Sequence, residues 1–265
     1  DRVIALKILS PELAMQEHFV RRFTQEAKAA ARLLHPNIVA VFGTGCDNGH
    51  HYIAMEYVDG KPLSQLIFER GRLPVEEALE MARQIASALA YAHGKNVIHR
   101  DIKPANILVG KDGVAKITDM GLAKRLDVPG VTIAGTVMGT PHYMSPEQAA
   151  DAAHVDHRAD IYALGATLYH ALVGEVPFEG TSTPEVLAKV QTKGLNFPDD
   201  VPVPQGVKRL ISRMLTKDPA ERIDSADEVV AEIDRLLSAG GGGGRSRYSR
   251  AALALGATLL VALLI

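Results

Sequence analysis

The spacing of apolar positions changes along this chain, and the changes divide it into a β-like part and a helical part. The first run, RVIALKIL, is short and almost continuously apolar, the pattern of an interior strand, with Lys7 near its end. The next stretch, EHFVRRFTQEAKAAARLL, places Phe19, Phe23, Ala27, Ala30 and Leu34 three or four residues apart, which predicts a helix. HPNIVAVFGTG and HHYIAMEYV are two short apolar runs separated by Asp, Asn and Gly, which predicts a hairpin.

Beyond Gly60 the period becomes helical. PVEEALEMARQIASALAYAHGK opens on Pro74 and two acids, sets Ala78, Met81, Ala82, Ile85, Leu89 and Ala92 on one face, and closes at Gly94. NVIHRDIKPANILVGKDGVAKITDMG predicts a loop and two short strands about a turn at 111–113. From there to about residue 147 no period is clear. Stretches near 157–173, 184–193, 206–215 and 225–237 are helical in spacing. A small β-rich piece thus precedes a larger helical one, joined near 56–60, and ligands favour such junctions.

Composition narrows the function. The 265 residues suffice for one large domain or two modest ones, and 47% hydrophobic residues argue against wholesale disorder. A formal net charge of −2 without a long basic block excludes a general nucleic-acid binder, which needs a positive field. The single cysteine, Cys46, cannot form an internal disulfide, so a reducing compartment fits; it reads as a small buried hydrophobe without a role. The first residues do not read as a signal peptide.

The C-terminal region differs. Five glycines, Gly240 to Gly244, form a flexible linker, followed by Arg245, Arg247 and Arg250 and then by 15 uncharged residues, 251–265. This predicts the start of a transmembrane helix rather than a core helix, because the glycines separate it from any core. Arginines on its N-terminal side would place the preceding domain in the cytoplasm.

Three groups that handle metals or protons fall close together in HRDIKPANILVGKDGVAKITDMG: Asp101, Asn106 and Asp119. Carboxylate and amide oxygens are hard ligands suited to Mg²⁺, which takes one or two protein groups and completes its shell with phosphate and water. A carboxylate near such a metal but not bound to it can accept a proton from a hydroxyl nucleophile. Lys103, two residues from Asp101, can neutralise charge on a transferring phosphoryl group.

With these residues in view, the chain resembles the eukaryotic-type (Hanks-type) protein kinases. Lys7 in IALK is similar to the strand lysine of that family, HRDIKPAN to its catalytic loop, DMG at 119–121 to D-F-G, and SPE at 145–147 to A-P-E, all in family order. The resemblance runs from residue 1 to about 238. It implies an α+β, bilobal protein kinase fold: 1–58 a partial N-lobe, 59–238 the α-helical C-lobe, 239–250 a Gly/Arg linker and 251–265 the transmembrane start. It further implies that two strands and a glycine-rich loop would precede Lys7, so that the chain reads as a truncated piece expected to turn over little by itself.

The resemblance also assigns roles. Asp101 is the base, Asn106 and Asp119 bind Mg²⁺ (or Mn²⁺), and Lys7 holds the ATP phosphates. Glu26 is the helix carboxylate pairing with Lys7, with Glu17 as runner-up; such a pair would hold the lysine extended. Met55 is the residue beside adenine, Glu56 and Val58 supply backbone hydrogen bonds to it, and Ala5 and Leu108 pack on its faces. His99 is structural. Arg100 is suited to hold a phosphothreonine, which points to Thr132 or Thr136 as regulatory phosphorylation sites. Thr140 belongs to the substrate platform. Glu147 should pair with Arg222 in the interior, and Asp160 should brace the catalytic loop.

Three departures stand out. Met120 replaces the family Phe, an adaptable apolar exchange; Ser145 replaces Ala; and Ala105 removes an acid that would read an arginine on the substrate. Lys103 and GTPHYMSPE resemble the serine/threonine branch, and the whole arrangement resembles bacterial membrane-anchored signalling kinases, with protein Ser/Thr hydroxyls as substrates and a homodimer by analogy. The alternatives are a pseudokinase scaffold and a small-molecule phosphotransferase.

Overall fold

The computed structural model describes residues 2–120, 141–150 and 155–240. In the first part, β1 (Ile4–Ile8) leads through α1 (Pro11–Ala14) into α2 (Glu17–Ala30) and a hairpin of β2 (Val41–Asp47) and β3 (His50–Glu56). Asn48 and Gly49 both take positive φ, 48° and 81°, as a tight hairpin turn requires. The strands form an antiparallel sheet in the order β1-β3-β2. Ala5 lies opposite Met55 and Lys7 opposite Ile53, so Ala5 and Lys7 share one face of β1. α2 lays Phe23 and Ala27 against Leu9 and Ile53, forming a small core that carries Glu26 to the sheet.

Several sequence expectations change here. Among the described residues β1 stands at one end of the strand order beside β3, with Leu6 and Ile8 54% and 58% exposed. α2 stops at Ala30, so Leu33 is buried and Leu34 is exposed; the approach to Pro36 disfavours further helix. The strand expected across 35–45 begins only at Val41. Before it, Ile38 makes a parallel bridge to Ile117, Val39 N–H donates to the Ile117 carbonyl, and Ile117 N–H donates to that of Asn37. Cys46 is exposed, because it lies on the hairpin rather than in a core.

The second part contains β4 (Gly60–Pro62), α3 (Leu63–Arg70), α4 (Val75–His93), β5 (Ile107–Gly110), β6 (Ala115–Ile117), α5 (Pro146–Ala150), α6 (Arg158–Val173), α7 (Thr183–Thr192), α8 (Gln205–Met214) and α9 (Ala226–Gly240). β4, β5 and β6 form a second antiparallel sheet in that order. α4 buries Ala78, Met81, Ala82, Ile85, Leu89 and Ala92, the face expected from its period. α6 is buried on almost every side and ends at Gly174, whose φ of 88° and N–H bond to the His170 carbonyl close the helix. One continuous core joins α4, α6, α8 and α9 to the strands behind the catalytic loop.

Among the described residues, no helix is long and apolar enough to cross a membrane. The expected transmembrane start at 251–265 lies outside them, as do Thr132, Thr136 and Thr140.

Candidate active site

Asp160, in the first turn of α6, organises the catalytic loop from below. Its fully buried carboxylate accepts the backbone N–H of His99 at 2.8 Å, that of Arg100 at 2.7 Å and Nε2–H of His93 at 2.8 Å. Burial alone would raise its pKa, but the bonds from His93 and the His99 backbone outweigh burial and hold the carboxylate below its ordinary value. These bonds keep Arg100 at a φ of 66°, a region costly to a residue with a Cβ.

His99 links this loop to the strand carrying Asp119. Its Nδ1 accepts the Asp101 N–H at 3.1 Å, leaving Nε2–H to donate to the Thr118 carbonyl at 3.1 Å. Burial of the whole ring lowers its pKa and keeps it neutral, against the opposing pull of Asp160. His99 therefore has the structural part expected of it.

Asp101, Lys103 and Asn106 form one cluster. Lys103 Nζ lies 2.9 Å from Asp101 Oδ2, and Asn106 Nδ2 donates to the same oxygen at 3.0 Å and to the Asp101 carbonyl at 2.9 Å. A 3-10 turn at Pro104–Asn106 makes this geometry possible by folding the loop back upon Asp101. With Nδ2 committed to Asp101, the acceptor of the buried Asn106 amide is Oδ1. Across the loop, Asp119 follows β6 with a φ of 57°. One carboxylate and one amide oxygen are the donor set Mg²⁺ accepts alongside phosphate, so the residues fit that cation.

Lys7 is placed differently from the sequence expectation. Its Nζ makes an ion pair with Asp119 Oδ1 at 2.6 Å and none with Glu26. All three residues nonetheless line one cleft, open to solvent, together with Met55 and Met120. Burial raises the Glu26 carboxyl from 4.5 to about 7, against the pull of Lys7 and Arg22. The more exposed Asp119 takes the lysine. Met120 is buried, so its apolar role survives the loss of an aromatic ring.

The hinge residues lie beside this cleft. Ala5 stands opposite Met55, whereas Ala5, Glu56, Val58 and Leu108 do not line the cleft itself. Glu56 has a side-chain function invisible in its assignment through backbone groups: Oε1 pairs with Lys116 Nζ at 2.7 Å and Oε2 accepts the Ala40 N–H at 3.2 Å. Lys116 is in turn the register partner of Leu108.

Arg222 is fully buried and donates to both Glu147 oxygens, at 2.7 and 2.9 Å, and to the carbonyls of Thr216, Arg158 and Lys217. The Arg100 guanidinium has no ion pair among the described residues, and Glu17 pairs with Arg21 on the exposed face of α2, away from Lys7. Sequence reasoning passed over His93, Lys116 and Gln148. For Gln148 a signal existed, the S-x-x-Q spacing of a helix cap.

A loop carboxylate held by its lysine and asparagine, together with an aspartate paired to a strand lysine in a neighbouring cleft, are the groups found in kinase-type phosphoryl-transfer sites. The chain belongs to the protein kinase domain family, whose pattern matches residues 1–232. It is 41% identical over 239 residues to a probable serine/threonine-protein kinase of Clostridium perfringens, covering 89% of this chain and 35% of that protein. It is 40% identical over 241 residues to serine/threonine-protein kinase PrkC of Bacillus subtilis, covering 90% and 37%. A Myxococcus xanthus serine/threonine-protein kinase, pkn3, is 42% identical over 249 residues, covering 89% and 45%. The chain thus spans little more than a third of the first two relatives' length.

Proposed function

We propose that this chain is the catalytic region of a serine/threonine protein kinase that moves the γ-phosphoryl group of ATP to protein hydroxyls. The observation carrying this reading is the convergence of Lys103 and Asn106 on Asp101 Oδ2, which fixes a carboxylate beside Asn106. Asp101 accepts the proton of a substrate Ser or Thr hydroxyl. The substrate's hydroxyl oxygen bonds to the γ-phosphorus as the bond from that phosphorus to the β–γ bridging oxygen breaks, leaving ADP and a phosphoprotein.

Lys103 offsets charge on the transferring group, and Lys7 positions the phosphates. Asn106 and Asp119 are the residues that would hold Mg²⁺, which supplies neutralisation of phosphate charge when bound. Adenine lies against Ala5, Met55 and Leu108, with backbone groups of Glu56 and Val58 as its hydrogen-bonding partners. Arg100 receives a phosphate from Thr132 or Thr136 once either is phosphorylated. Membrane attachment through 251–265, a cytoplasmic kinase domain and homodimerisation belong to the same proposal; the first two rest on the sequence alone, the third on analogy.

The test is incubation of the full-length protein with labelled ATP, Mg²⁺ and a generic protein substrate, followed by identification of the labelled amino acid. Phosphoserine or phosphothreonine, lost in Asp101→Asn, is expected. ATP binding without transfer would instead support a scaffold, and label on small molecules alone would support a metabolite phosphotransferase.

A further inference from the structure

The geometry points to Gln148 as a positioning residue that ties the substrate-platform segment to the peptide group carrying the catalytic base. The inference rests on the reading of Asp101 as that base. Ser145 is fully buried at the start of α5, and the two side chains cap each other: Gln148 N–H donates to Ser145 Oγ at 3.4 Å, and Ser145 N–H donates to Gln148 Oε1 at 3.1 Å. With Oε1 committed to Ser145, the amide turns Nε2 outward, where it donates to the Arg100 carbonyl at 3.0 Å.

That carbonyl belongs to the same peptide group as the Asp101 N–H, which donates to His99 Nδ1. The 100–101 peptide plane is therefore held at its oxygen by Gln148 and at its hydrogen by His99. The preceding peptide is held by Asp160 through the Arg100 N–H. A residue with positive φ persists only where its surroundings over-determine it, and Gln148 supplies one of the constraints on Arg100.

The other end of this short segment is equally fixed. Glu147, adjacent to Gln148, is bound bidentately by buried Arg222. Immediately upstream, Pro141–Tyr143 form a 3-10 turn, with His142 bonded to the Phe178 carbonyl and Tyr143 to His170. Displacement of residues 141–148 would thus move the Arg100 carbonyl, and Asp101 with it. Ser145, which replaces the family alanine, acts here as the anchor that sets the Gln148 amide orientation.

Gln148→Glu tests this in the full-length protein, since it retains size and the acceptor for Ser145 but faces the Arg100 carbonyl with an oxygen. Gln148→Met, uncharged and of similar length, is the second variant should the first fold poorly. The readouts are amide hydrogen exchange over 99–103 and steady-state kinetics with ATP and a protein substrate. We expect faster exchange in 99–103, unchanged exchange around Lys7 and Glu26, and kcat lowered about tenfold with KM for ATP unchanged, the size of one lost buried hydrogen bond. Unchanged exchange over 99–103 would overturn the coupling. Faster exchange with unaltered kcat, or equal losses in kcat and ATP affinity, would overturn the positioning role. A wild-type protein that transfers no phosphoryl group while Gln148→Glu still loosens 99–103 would refute the kinase reading and leave the coupling intact.

Discussion

Lys7 Nζ rests 2.6 Å from Asp119 Oδ1, while Glu26, lining the same cleft, goes without the lysine. The two carboxylates compete for one cation, and the less buried one holds it. The balance has a pH dependence. A carboxyl raised from 4.5 to about 7 contributes stability that is fully present below the unfolded value and is lost as pH rises through about 7. Glu26→Gln lacks that titration. In nucleotide-free protein, the Tm of the variant relative to wild type should therefore climb from about pH 4.5 to pH 7 and level off above it. A difference independent of pH in thermal melts would show that Glu26 is not held protonated.

The Asp101 cluster predicts a separation of binding from chemistry. Asp101→Asn preserves shape and leaves Lys7 and Asp119 untouched, so ATP affinity by calorimetry should hold within about twofold. Turnover should fall by about 10²–10⁴, the usual contribution of a general base. Loss of ATP binding in step with turnover would place the role of Asp101 in nucleotide binding instead.

Arg222 and Glu147 should be found by stability measurements rather than kinetics. Arg222 is wholly buried and satisfies three backbone carbonyls besides the carboxylate. Removing Glu147 leaves an uncompensated buried cation, at a cost of about 3–5 kcal/mol. Arg222→Lys should approach that cost, because an ammonium cannot reproduce the planar fork. Urea unfolding of Glu147→Ala checks this; a loss below about 1 kcal/mol, typical of exposed pairs, would mean the pair is effectively solvated.

Much of this fold and site is legible in the sequence where chemistry is local. The apolar face of α4 follows from its period, and the β2–β3 hairpin from Asn48 and Gly49. Asp101, Asn106 and Lys103 meet because a six-residue stretch, 101–106, turns upon itself. α3 escaped because it is only 8 residues long and lies between Pro62 and Gly71, although Leu63, Leu66 and Ile67 have helical spacing. Which acid Lys7 meets is settled by the relative burial of two carboxylates, and burial emerges only from the packed structure. Gln148, His93 and Lys116 act across 48, 67 and 60 residues of sequence, distances over which no local pattern carries information.

Lys116 leads to the last prediction. Its ion pair with Glu56 joins the second sheet to the hinge, with the two side chains only 19% and 22% exposed, and the Ala40 N–H completes the Glu56 carboxylate. Because Lys116 stands opposite Leu108, one side chain fixes the hinge strand relative to the residue proposed as the floor of the adenine site. Lys116→Met keeps the aliphatic stem but withdraws the cation, leaving a half-buried carboxylate with one donor. Stability should fall by about 1–2 kcal/mol, between the values for exposed and buried pairs. Glu56 would then be free to turn toward solvent and carry its backbone with it. ATP affinity should weaken about three- to tenfold, while kcat at saturating ATP stays near wild type, because the Asp101 cluster is untouched. Glu56→Gln keeps one acceptor oxygen and must face the other donor with its NH2, so it should weaken ATP binding as well. Calorimetric titration with ATP settles the order: equal affinity in all three proteins would mean that the Lys116–Glu56 pair supports the fold without shaping the nucleotide site.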